Sequence, residues 1–117
     1  MKLTLKSLLV LGAIAALPAS GMADEIAVIV KTTNSNFWQN VNKGASAVIE
    51  GTGLTMTFDG PATESAVADE VNLVDNAVNR GVEGIVPAPA DPDALAPAVK
   101  RANDAGIPVA IVDSALG

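Results

Sequence analysis

The chain has 117 residues, of which 50% are hydrophobic and 17% charged, enough apolar side chain for a packed core and too little charge for a disordered tail. Thirteen acidic residues against seven basic ones give a net charge of −6, which excludes the basic surface that nucleic-acid binders need. With no cysteine and no histidine, disulfide scaffolds, thiolate zinc sites, cysteine nucleophiles, lipid-modified N-terminal cysteines and the commonest general base are excluded as well.

Residues 1–23 read as a secretory signal peptide. Lys2 and Lys6 form a positive start without acids, Leu8 to Leu17 is an unbroken apolar run, and Pro18 ends it before the small residues Gly21 and Ala23. The run is shorter than the about 20 residues a membrane-spanning helix needs. Cleavage after Ala23 would remove both lysines and deepen the net charge by two, to −8. The expectation is an exported, acidic chain of residues 24–117 with no membrane anchor.

Four candidate strands follow: the continuous apolar run Ile26 to Val30, then Leu54 to Phe58 (LTMTF), the short Gly84 to Val86, and Val109 to Val112. Continuous apolar, β-branched runs suit strands buried on both faces of a parallel sheet. Their starts lie about 25 to 30 residues apart, the length of a strand plus its crossover helix. Helical periodicity fills the gaps. Phe37, Val41, Ala45, Val48 and Ile49 mark the first helix, closed by Gly51. Val67, Val71, Val74 and Val78 mark the second, with Asp69 and Glu70 at the end where negative charge suits the helix dipole. Leu95, Val99, Ala102 and Ala105 mark the third, where Asp91-Pro92 resembles a cap followed by proline. Pro97 predicts a kink, or a start nearer Asp93.

The fold class is therefore α/β, a partial doubly wound parallel sheet of order β-α-β-α-β-α-β. Only Ser114 to Gly117 follow the fourth strand. A hydrophobic parallel strand left as a bare edge recruits other chains. The expectation is a piece of a longer protein, an incomplete lobe over 24–117, or a partner along that edge.

Ligands of open parallel sheets bind outside the carboxyl ends of the strands. The loop Lys31 to Trp38 is polar, with hydroxyls and amides that both donate and accept hydrogen bonds, as a neutral polyol requires. Neighbouring helical residues point about 100° apart. Phe37 falls on the apolar stripe with Val41, which turns Trp38 toward the strand ends, where an indole could stack on a sugar. The alternative is that Asn34 or Ser35 caps the helix and both aromatics pack. Asp59 and Asp113 follow strands directly and suit either ligand binding or a turn. Lys31 reads as a solvated charge at a strand end. Gly51-Thr52-Gly53 follows a helix, so it is not a dinucleotide fingerprint, and no phosphate loop or nucleophile elbow is present. No metal set, cofactor loop or catalytic residue is expected, and the chain reads as a non-enzyme.

The segments N-S-N-F-W-Q-N-V-x-K-G-A, D-N-A-V-N-R-G-V-E-G-I-V and A-G-I-P-V-A-I-V-D-S resemble the start of a periplasmic sugar-binding protein of the ribose-binding type. The resemblance covers essentially all of residues 24–117. It implies two α/β lobes joined by a hinge, a monosaccharide or similar small polar solute held between them, and delivery to an inner-membrane ABC permease from the periplasm. It also implies binding without turnover. Matched residue by residue, it makes Ser35 a polar contact, Phe37 and Trp38 ring-stacking aromatics, and Asp113 the acceptor of sugar hydroxyls, with Ser114 beside it. Two departures stand out. The family's Asn-Pro before the aromatics reads Ser35-Asn36, and the arginine that follows the aspartate in pentose binders is Ser114 here, which argues against ribose itself. Family members are much longer, so one wall of the cleft implies weak or undetectable binding by this chain. A receptor feeding a sensor kinase or chemoreceptor fits the same residues. A repressor core lacks its helix-turn-helix, and an exported α/β enzyme lacks its nucleophile-base pair.

Overall fold

The computed structural model describes residues 24–117. The proposed signal segment and its cleavage site lie outside the described residues. Elements alternate along the chain: β1 (Glu25–Ile29), α1 (Asn36–Ile49), β2 (Thr55–Asp59), α2 (Val67–Arg80), β3 (Gly84–Pro87) and α3 (Pro92–Asp104). The strands form a parallel sheet of order β2-β1-β3. Each strand lies within a residue of its predicted run.

The fourth predicted strand differs more. Val109 makes a single parallel bridge to Ile85, next to β3, and the segment to Val112 is not a full strand. Its backbone does follow β3: Ile85 donates to the carbonyl of Pro108 at 3.1 Å, Ala110 donates to Ile85 at 3.0 Å, and Val112 donates to Pro87 at 3.0 Å. The missing rung has a covalent cause. The residue that would donate between Ala110 and Val112 is Pro87, which has no N–H.

Alternation along β1 divides the core into two layers. Ala27 and Ile29 face α2 and α3, in a cluster with Val74, Ala77, Ile85, Leu95, Ala98 and Ala102. Val28 and Val30 face the other way, in a smaller cluster with Trp38 and Ala88 and with Val41, Met56 and Phe58 at its margin. One helix therefore covers one face and two helices cover the other. The α1 face is covered less completely. An apolar groove of about 520 Å³ remains between α1 and the sheet, lined by Ile26, Val28, Val41, Ala45, Met56 and Val86 among others. Val48, expected in the core, is 79% exposed.

Two local expectations change. Helix α3 starts at Pro92, not nearer Asp93, because the Asp91 carboxylate accepts the Ala94 N–H at 2.9 Å and fixes the first turn. Pro97 sits inside that helix on its exposed side, where water can serve the carbonyl whose partner it removes. At the amino end of the sheet, the buried Glu25 carboxylate is held by Arg80 at 2.7 Å and Thr57 at 2.6 Å. The Arg80 hydrogen bond holds its pKa below the usual value, against the opposing effect of burial.

Candidate functional site

The topology fixes where a crevice opens. From β1 the chain moves to β2 by way of α1 on one face. It then crosses back to β3, and on to residues 109–112, by way of α2 and α3 on the other face. The reversal lies between β1 and β3, and the crevice of such a sheet lies outside the carboxyl ends at that reversal. In register, Ile29 stands opposite both Asp59 and Pro87. The loops after β1, β2 and β3 therefore leave the sheet at the same level, together with Asp113.

The loop after β1 is tied down by its own hydroxyls. The Thr32 side chain donates to the Ala62 carbonyl at 3.1 Å and accepts the Asn34 N–H at 3.1 Å. Ser35 is the N-cap of α1, accepting the Trp38 N–H at 3.3 Å. Its hydroxyl is thus engaged in capping, the alternative that the sequence left open. Across the same end, Gly60 passes close to β1. A Cβ there would lie 2.7 Å from the Val30 carbonyl oxygen, so any larger residue forces the backbone to shift.

The two aromatics are arranged opposite to the helical-stripe expectation. Trp38 is buried, 4% exposed, and packs with Val28, Val30 and Ala88, whereas Phe37 is 59% exposed. With the first turn beginning at Asn36, the inward stripe of α1 runs from the buried Trp38 through the half-buried Val41, Ala45 and Ile49, and Phe37 falls about 100° off it. Trp38 still reaches the carboxyl end of the sheet, since Val30 and Ala88 directly follow β1 and β3. The rings meet edge to face, centroids 4.8 Å apart and 86° between planes.

Asp113 reaches the same place from the fourth segment. It lines the upper end of the apolar groove together with Phe37, Trp38 and Val112. It is the only non-glycine described with positive φ, 69°, in a tight turn where Ser114 N–H donates to the Val112 carbonyl at 2.8 Å. Aspartate tolerates this region better than most residues, though the turn is a strained one. The turn presents the carboxylate to Lys31, whose Nζ stands 2.8 Å from Oδ2 and donates to the Ser114 hydroxyl at 2.7 Å. That hydrogen bond, opposed by slight desolvation and helped by the Lys31 charge, holds the Asp113 pKa below the usual carboxylate range.

The structure therefore brings Phe37, Trp38, Asp113 and Ser114 together, and leaves Ser35 as a helix cap beside them. Lys31 belongs with them, although sequence reasoning set it aside as a solvated charge. Its place immediately after the β1 apolar run, level with the other strand ends, was the available signal. Asp59 is exposed at the end of β2, its carbonyl accepting the Val30 N–H at 2.8 Å. Among the described residues no group of three or more carboxylates is placed to hold a metal ion, and no helix is long and apolar enough to cross a membrane.

Comparison with known proteins places this geometry in context. The periplasmic binding protein domain family matches residues 26–117. The D-ribose/D-allose-binding protein of Pseudomonas aeruginosa is 32% identical over 91 residues, 76% of this chain and 28% of that protein. The ribose import binding protein of Escherichia coli is 33% identical over 104 residues, 85% of this chain and 33% of that protein. An ABC transporter solute-binding protein from Agrobacterium vitis, solved with bound D-fucose, is 64% identical with a TM-score of 0.76, over 80% of this chain and 32% of its own. The chain thus spans about a third of the length of the relatives it matches.

Proposed function

The chain belongs to the periplasmic binding protein domain family, and from that membership we propose that it forms one wall of the monosaccharide cleft of an ABC transporter solute-binding protein. The observation that carries the reading is the meeting of Lys31, Asp113 and Ser114 with the Phe37–Trp38 pair at the β1/β3 reversal. A pyranose has a rim of hydroxyls and an apolar C–H face. An ionised carboxylate beside an ammonium matches the rim, because charge-assisted hydrogen bonds are the stronger kind. The exposed Phe37 ring and the Trp38 edge match the face.

In this reading Asp113 accepts two hydroxyls, Lys31 donates to a third oxygen, and the chain binds sugar without turning it over. The solute travels from the periplasm to an inner-membrane permease, and residues 1–23 direct export and are removed after Ala23. The relative with bound D-fucose makes a 6-deoxyhexose the first candidate. The relatives named for ribose are less similar, and Ser114 follows the aspartate where the resemblance expects arginine.

The test is an amide-resolved NMR titration of this chain with D-fucose, D-allose and D-ribose at tens of millimolar. Selective shifts at Trp38, Asp113 and Ser114, strongest for D-fucose, are expected. Sugar-dependent shifts confined to other regions, or shifts at these residues that are the same for all three sugars, would overturn the reading.

A further inference from the structure

Glu70 has no part in the site described above, and its surroundings are unusual. It lies in the first turn of α2, yet it is 1% exposed. It is on the buried stripe of that helix with Val74 and Ala77, four and seven residues on. One carboxylate oxygen, Oε2, accepts the backbone N–H of Ala90 at 2.9 Å, across to the loop between β3 and α3. The other, Oε1, is buried with no hydrogen-bond partner. A buried carboxylate oxygen without a partner is costly. A leucine would pack this stripe at less cost, so the carboxylate is explained by what it holds.

What it holds is the loop Ala88 to Asp91, the β3 side of the crevice. Ala88 is fixed by its N–H on the Ile29 carbonyl at 2.8 Å, and Asp91 is committed to capping α3. Between them the Glu70–Ala90 bond is the described polar tie from this loop to α2. We propose that Glu70 is a positioning residue for the cleft, anchoring the β3–α3 loop to α2 through the Ala90 amide. That this loop borders a sugar site rests on the function proposed above; the anchor itself does not.

The charges on neighbouring elements leave Glu70 nearly alone. From the loop after β1, Lys31 acts on it and favours its ionised form. From β1, Glu25 is bound to Arg80 at the far end of α2, and from α3, Arg101 is bound to Asp75. Asp91 and Asp93 stand at the start of α3, and Asp69 is exposed beside Glu70 on α2 itself. Desolvation outweighs the Ala90 bond and the Lys31 charge, and pushes the carboxyl pKa up to about 7. An anchor of this kind changes strength near neutrality, because an ionised acceptor binds the amide more tightly than a protonated one.

The test uses the whole chain, labelled for NMR and titrated between about pH 5 and 9. The Ala90 amide resonance is expected to move with a midpoint near that of Glu70 in the wild type and to stay flat in Glu70→Gln, which keeps an acceptor. Glu70→Leu removes the acceptor and is expected to speed hydrogen exchange at Ala90 about tenfold or more, while Val74 and Ala77 keep their protection. If Glu70→Leu does not fold, the wild type against Glu70→Gln decides alone. An Ala90 resonance that does not titrate, or titrates equally in Glu70→Gln, overturns the anchor. An Ala90 titration together with sugar shifts confined away from Trp38 and Asp113 supports the anchor and overturns the sugar reading only.

Discussion

Lys31 and Asp113 sit 82 positions apart in the sequence, and their side chains meet at 2.8 Å over the carboxyl end of the sheet. The contact bridges the end of β1 and the segment after β3 with a charge pair that stays partly open to solvent. A pair so exposed adds little to folding, about 0.5 kcal/mol, and is free to serve a ligand. Asp113→Asn and Lys31→Met should therefore melt within a few degrees of the wild type, while sugar-dependent shifts at Trp38 weaken about tenfold or more. Thermal melting and the NMR titration, run on the same samples, check both halves.

The two aromatics should separate cleanly by stability. Trp38→Ala empties a buried position at the strand ends and should cost about 3 kcal/mol in urea unfolding. Phe37→Ala removes an exposed ring and should cost about 0.5 kcal/mol. Both should weaken sugar shifts, Phe37→Ala without the loss of stability.

Much of the architecture was legible because β1 is built on a continuous apolar run, β2 alternates threonine with Met56 and Phe58, and α2 carries a regular valine stripe. The errors share a physical origin. A helical stripe read from periodicity can be rotated by one residue when two adjacent residues are both aromatic, and Phe37 and Trp38 were exchanged for that reason. The Asn36 start, set by the Ser35 cap, decides the phase. Val109 to Val112 has the composition of a strand, but the rung it lacks depends on Pro87, a residue on its neighbour. Glu70 looked like a charge complementing the helix dipole. Only its spacing from Val74 and Ala77 hinted that it faces inward. Lys31 needed a partner 82 positions away to become visible.

The two buried carboxylates, Glu25 and Glu70, shift in opposite directions, and the pH profile should show both. Glu25 is held below its ordinary value by Arg80, so its contribution is present above pH 4.5 and is lost as pH falls through the lowered value. Glu70 is raised to about 7, so the folded chain keeps a proton that the unfolded chain has released above pH 4.5. Its contribution falls as pH rises from 4.5 to about 7 and is level beyond. Denaturation across pH should give maximal stability on the acid side, about pH 5. Glu70→Gln should lift the neutral and alkaline limb and leave the acid limb in place. Arg80→Met should cost about 2 kcal/mol at neutral pH, because it leaves the buried Glu25 charge unpaired beside a partly exposed site.

Gly60→Ala should be disproportionately damaging for a single methyl. The new carbon would press on the Val30 carbonyl, a backbone atom that cannot rotate away. A loss of about 2 kcal/mol in urea unfolding is expected, against a gain of a few tenths for the same change at an unhindered glycine.

The unequal covering of the two sheet faces bears on how the molecule comes apart. α2 and α3 share the larger cluster with the sheet, whereas α1 rests on a small one beside an open groove. Local opening follows the thinner contact, so α1 should be the part that detaches first. The chain's only tryptophan is on that helix. Its fluorescence therefore reports the release of α1 and not the melting of the whole domain. Unfolding followed by tryptophan fluorescence should run ahead of unfolding followed by circular dichroism, and the gap between the midpoints measures how far α1 opens before α2 and α3.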